Sequence, residues 1–174
     1  DMLSYNYRLS EVSAAIGLAQ LEKIDFFVKL RIKAGLGMLQ IIKKYDINNI
    51  LIPQNTPDNY IHAYYTFAVK FEGSKYKIKW QDFRKKFMEY GGDGIYAAWT
   101  TVNNEPPFKN ARIKGLISGG RKISDSYGWG ETPIAISLQK KIMQFTTNQK
   151  NLDNRLIQQT ALIKTLDFFN KKIN

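Results

Sequence analysis

The chain has 174 residues, 44% of them hydrophobic, with 26 Lys and Arg against 15 Asp and Glu and a formal charge of +11. That is enough apolar material for one packed core, and the lack of cysteine beside a lone histidine, His62, excludes a disulfide framework, a thiolate metal site and a histidine-based cluster. No run approaches the roughly 18 apolar residues needed to span a bilayer and no charged-then-apolar leader follows Asp1, so the chain reads as a soluble protein suited to the cytosol. The positive charge raises nucleic acid as a partner. Its distribution argues the other way, because the basic residues fall as pairs, such as Lys43-Lys44, Lys140-Lys141 and Lys171-Lys172, on stretches that read as solvated helix surfaces.

No internal repeat or low-complexity linker divides the sequence. Ser10 is a candidate N-cap with Glu11 in the first turn, and apolar residues recur at helical spacing toward Tyr45, which predicts one long helix. On a helical wheel Ala14, Leu18, Leu21, Val28 and Ile32 fall on one side, and Val12, Ala15, Ile16, Ala19, Phe26 and Leu30 fall roughly opposite. Apolar cover on two sides predicts burial between two layers, and the rest of the chain is expected to supply only one of them. Gly35 and Gly37 are expected to weaken or kink the helix.

"IPQNTPDN" reads as loop, and "HAYYTFAVKF", His62 to Phe71, as a strand rich in aromatic and β-branched residues. "WQDFRKKFMEYGG" has Phe83, Phe87 and Tyr90 at helical spacing with Gly91 as a stop, and "DGIYAAW" should leave it as a strand. An irregular basic stretch follows. Thr132 and Pro133 then make a cap and first helical position, with Ile134, Ala135, Leu138, Ile142 and Met143 on one face. A last helix runs from about Asn151 to the end, with Leu152, Leu156, Ala161, Ile163 and Leu166 apolar. The order is helix, strand, helix, strand, helix, helix: an α+β layer beside one long helix.

Three stretches carry possible chemistry. Asn6 and Arg8 precede a helix N-terminus, where unpaired first-turn N–H groups and the dipole favour an anion such as a phosphate. The alternatives are an Asn that ends a turn and an Arg paired with a carboxylate. "YGGDGIYAAWTTVNNEPPF" combines glycines, the aromatic rings of Tyr96 and Trp99, and the carboxylates Asp93 and Glu105; core packing competes with binding for both rings. "KNARIKGLISGGRK" holds five basic residues and no acidic one. It suits either a diphosphate or a solvated loop. His62, opening a strand, reads as a hydrogen-bonded structural residue.

"NYRLSEVSAAIGLAQLEKID" resembles the segment that opens the C-terminal part of the DegT/DnrJ/EryC1/StrS family of sugar aminotransferases. The resemblance extends more weakly through the aromatic strand from His62, "YGGDGIYAAW" and "ETPIAISLQKKIMQFTTN". It implies an α+β small domain of the type I pyridoxal-phosphate aminotransferase fold, with a long interdomain helix and a short sheet flanked by helices. Residues 1–47 would be linker and long helix toward an N-terminal large domain, and residues 48–174 the small domain. It further implies a homodimer that aminates a keto-sugar carried on a nucleotide diphosphate, for deoxyaminosugar or surface-polysaccharide synthesis, with pyridoxal 5'-phosphate as cofactor.

Carried over, Asn6 reaches the phosphate of the partner subunit's cofactor, Arg8 lies close to the same site, and Tyr96 and Trp99 flank substrate. The lysine that holds the cofactor, and the acid on its pyridine nitrogen, belong in the family to the large domain, N-terminal to "NYR". No lysine of this chain sits in that context, so no catalytic residue is assigned here. One branch of the family replaces that lysine by histidine and dehydrates the sugar at C3. A third reading, from another class, is a non-catalytic basic binding module.

Overall fold

The computed structural model describes residues 8–98, 100, 101, 105 and 132–174, and its first helix begins where the cap chemistry requires. Ser10 is extended and its Oγ accepts the Ser13 N–H at 3.2 Å, so α1 runs Glu11–Leu21 with Glu11 in its first turn. The single helix expected up to Tyr45 is instead two. At Glu22 and Lys23 the turn tightens, with the Lys23 N–H reaching Gln20 O at 3.1 Å, and α2 resumes over Ile24–Tyr45. Gly35 and Gly37 lie inside an unbroken α2. A methyl group on Gly35 would overlap the Tyr64 ring and one on Gly37 the Gln159 amide, so both glycines serve close approach of neighbours.

Four strands form one antiparallel sheet in the order β1 (Leu51–Pro53), β2 (Phe67–Phe71), β4 (Ile142–Phe145), β3 (Tyr96–Ala97). β1 occupies part of what reads as loop in the sequence. β2 starts only at Phe67, because the preceding chain is held in a turn. Tyr64 takes φ 48°, a left-handed conformation, while its N–H donates to His62 Nδ1 at 2.8 Å. The Thr147 hydroxyl donates to Tyr64 O at 2.6 Å, and Arg31 Nη1 donates to Tyr65 O at 2.8 Å. β4 replaces the end of an expected helix. α4 spans only Pro133–Gln139, so Ile142 and Met143 belong to the sheet, and α4 itself buries no residue.

α3 (Trp80–Glu89) buries Phe83 and Phe87 and stops at Gly91, whose φ of 91° suits glycine. α5 (Leu152–Ile173) is capped by Asn151 Oδ1, which accepts the Asn154 N–H at 2.9 Å. Leu152 and Leu156, read as part of its apolar stripe, are exposed, and the buried face carries Ala161, Leu162, Leu166 and Phe169. The sheet alternates: Phe67, Val69, Phe71, Met143 and Phe145 point into the core, where Met38, Ile41 and Ile42 of α2 meet Phe83 and Phe87 of α3 and the buried face of α5. The described residues thus form an α+β fold of five helices and a four-stranded antiparallel sheet.

Two carboxylates finish the sheet edge and its exit. Asp46, at the end of α2, accepts the Ile50 and Leu51 N–H groups at 2.9 and 2.7 Å, which closes part of the β1 edge. Burial pushes its carboxyl above the usual range against the pull of those two donors. Glu72, at the end of β2, lies 2.9 Å from Lys70 Nζ and 3.6 Å from Lys141 Nζ. The hydrogen bond from Lys70, then the charges of Lys141 and Lys75, hold its carboxyl below the usual range.

A lowered acid contributes stability above the ordinary carboxylate range and loses it as pH falls through the folded value. Asp46, being raised, runs the opposite way. Comparing the wild type with Glu72→Gln isolates the first effect: the stability gap between them should be present at about pH 6 and shrink toward about pH 3 in thermal unfolding. A gap independent of pH would contradict this assignment.

Candidate functional site

Of the four residues assigned to binding, Arg8 and Tyr96 lie among the described residues, while Asn6 and Trp99 lie outside them. The basic run over 109–122 lies outside them as well. Arg8 is exposed two residues ahead of the α1 cap. The Ser10 hydroxyl takes the Ser13 N–H, and helix geometry aims the Glu11 and Val12 N–H groups out of the same terminus. Donors and dipole together suit an anion of phosphate size.

Tyr96 is the first residue of β3 and pairs with Gln144. The residue before it, Ile95, is buried at 3%, so strand alternation turns Tyr96 outward, where it is 59% exposed. Core packing, the competing explanation for this ring, therefore does not apply. The turn leading to Tyr96 is pinned from three sides. Asp93 Oδ2 accepts the Thr146 hydroxyl at 2.7 Å and Gln149 Nε2 at 3.2 Å, the Asp93 N–H donates to Gln158 Oε1 at 2.7 Å, and Arg84 Nε donates to Ile95 O at 3.0 Å. Sequence reading singled out Asp93 but none of these partners.

His62 takes the structural role expected of it: its Nδ1 accepts the Tyr64 N–H, its Nε2 sits 3.3 Å from Gln54 Oε1, and its ring stacks on Tyr64 at 4.2 Å. A groove of about 710 Å³ between α2, β1 and the segment around Tyr60 is lined mainly by apolar side chains and includes none of the four assigned residues. The paired lysines at 43–44, 140–141 and 171–172 are exposed, as solvated faces should be. Among the described residues no helix is long and apolar enough to cross a membrane.

Among the described residues, the N-terminal helix is left largely uncovered. α1 buries no residue, and Leu9, Val12, Ile16, Leu18, Leu21, Ile24, Phe26 and Phe27 are all exposed. Full burial begins only midway along α2, at Ala34.

Comparison with known proteins agrees with the fold and with the opening motif. PseC of Helicobacter pylori, described as an aminotransferase involved in the biosynthesis of pseudoaminic acid, superposes with a TM-score of 0.64 at 16% identity, over 97% of this chain and 40% of that one. An aminotransferase from Psychrobacter cryohalolentis gives a TM-score of 0.66 at 17% identity, over 99% of this chain and 42% of that one. GDP-perosamine synthase of Escherichia coli O157:H7 is 32% identical over 69 residues, which make up 40% of this chain and 18% of that protein. The chain thus spans well under half the length of these relatives. The pattern of one family matches residues 1–112, from before Asn6 through α1, α2, the first three strands and beyond. With that match over most of its length, and with a fold shared with solved aminotransferases, the chain belongs to the DegT/DnrJ/EryC1/StrS aminotransferase family.

Proposed function

We propose that this chain is the C-terminal part, and the small domain, of a pyridoxal 5'-phosphate-dependent aminotransferase of the type I fold that acts as a homodimer on a nucleotide-linked keto-sugar. The observation that carries the reading is the family match through residues 1–112, which includes the Asn6–Arg8 motif and the N-capped start of α1. The bare α1 supports it. A helix apolar on two sides and buried on neither needs further protein, and the large domain N-terminal to Asn6 is that protein.

The residues present fit the cofactor's phosphate, since the start of α1 offers backbone N–H donors beside Arg8. Asn6 would hold, by its amide, the phosphate of the partner subunit's cofactor, and Arg8 would lie close to the same phosphate and add positive charge there. When bound, pyridoxal 5'-phosphate supplies the electron sink for amino transfer. Tyr96 and Trp99 flank the sugar nucleotide and orient it, and work on a soluble nucleotide sugar places the enzyme in the cytoplasm. The lysine that carries the cofactor comes from the large domain.

Asn6→Ala in the dimeric enzyme should weaken cofactor binding roughly tenfold, the loss of about one charge-assisted hydrogen bond. Equilibrium titration with pyridoxal 5'-phosphate reads this directly. Unchanged affinity would remove Asn6 from the site.

A further inference from the structure

Resting on that reading, in which Tyr96 faces substrate, we propose that Asp93 is a positioning residue that sets the direction in which Tyr96 leaves its turn. β3 is only two residues long, with partners Gln144 and Met143 on β4. So short a strand cannot hold its own orientation, and the edge ring of Tyr96 has no core contact to fix it, being 59% exposed. The constraint comes from the turn just before it.

Asp93 is three residues from Tyr96, and its carboxylate oxygen Oδ2 gathers two donors from the segment after β4: the Thr146 hydroxyl at 2.7 Å and Gln149 Nε2 at 3.2 Å. Gln149 is itself buried and also holds the Thr146 hydroxyl at 2.9 Å, so the acceptor is met by a preformed pair. On the other side the Asp93 N–H is fixed to Gln158 of α5, also buried, at 2.7 Å. Asp93 therefore ties the approach to β3 to both β4 and α5, and Tyr96 inherits its placement. The role needs an acceptor oxygen and not a negative charge, which separates it from any acid–base role for this carboxylate.

The test uses the dimeric enzyme with a nucleotide-diphosphate keto-sugar as acceptor, measuring KM and kcat for Asp93→Ala, Asp93→Asn, Tyr96→Ala and the Asp93→Ala/Tyr96→Ala double variant. Asp93→Ala should raise KM roughly tenfold with kcat within about twofold, as expected when binding geometry and not chemistry is lost. Asp93→Asn keeps an acceptor oxygen and should stay within about twofold of the wild type in KM. In the Tyr96→Ala background, loss of Asp93 should add nothing, because its effect travels through that ring.

An Asn variant as impaired as the Ala variant, additive effects in the double variant, or an Asp93→Ala enzyme with wild-type KM would each overturn the proposal. Should Asp93→Ala fail to fold, Thr146→Val removes one of the two donors and should raise KM in the same direction by a smaller factor; no rise is a failure. A wild-type enzyme that turns over no nucleotide keto-sugar would instead overturn the functional reading, and this inference with it.

Discussion

Phe83→Ala is expected to lower the folding free energy by about 3–5 kcal/mol, out of a total near 5–15 kcal/mol for a domain of this kind. Phe83 is fully buried and joins three elements at once. Its ring lies edge-on to Phe71 of β2 at 5.9 Å and stacks on Phe169 of α5 at 5.5 Å. Truncation removes both ring contacts and leaves a cavity where α3, the sheet and α5 meet, a place that cannot collapse without shifting a helix. Phe83→Leu retains most of the volume and should cost less. Urea unfolding reads both variants, with the midpoint falling and the slope retained. A loss under about 1 kcal/mol for the Ala variant would mean that the core is not centred where the structure has it.

The second large effect concerns α1. Produced by itself, the 174-residue chain is expected to bind an apolar fluorescent dye strongly, because Val12, Ile16, Leu18 and Leu21 are 61–72% exposed. These residues lie on both sides of the helix, so no rotation of α1 against the rest of the chain hides them all. Replacing Ile16 and Leu18 by lysine should cut dye fluorescence severalfold while the helical signal in the far ultraviolet stays, since lysine is a good helix former. On the proposed reading, in which a large domain covers α1, the same double replacement should impair assembly of the dimeric enzyme instead. Weak dye binding by the wild-type chain would contradict the idea that α1 is an internal surface.

Local chemistry made much of this fold legible in the sequence. The Ser10 cap, the Gly91 stop and the Asn151 start are written in neighbouring residues, and the structure has each of them. The errors lie where distant residues decide. The run from Ile134 to Met143 fits a helical stripe, but pairing of Ile142–Phe145 with β2 takes its end into the sheet. β1 is three residues ending in a proline, too short for periodicity, and what makes it a strand is pairing with Val69 to Phe71 of β2, 16 to 20 residues downstream. Tyr64 interrupts an apparent strand because Thr147 and Arg31 hold the turn from 83 and 34 residues away in sequence. At the candidate site the same rule applies. Asn6, Arg8 and Tyr96 stand in motifs that can be read locally, whereas the partners of Asp93 lie 53 to 65 residues downstream and carry no pattern of their own.

The most direct measurement is the product formed when the native protein, isolated from its source cell, is given an amino acid and a nucleotide-diphosphate keto-sugar. Mass spectrometry of the sugar nucleotide should show the carbonyl oxygen replaced by an amino group, with the amino acid converted to its keto acid. A sugar nucleotide that instead loses its C3 hydroxyl, or returns unchanged, would contradict the proposed aminotransfer.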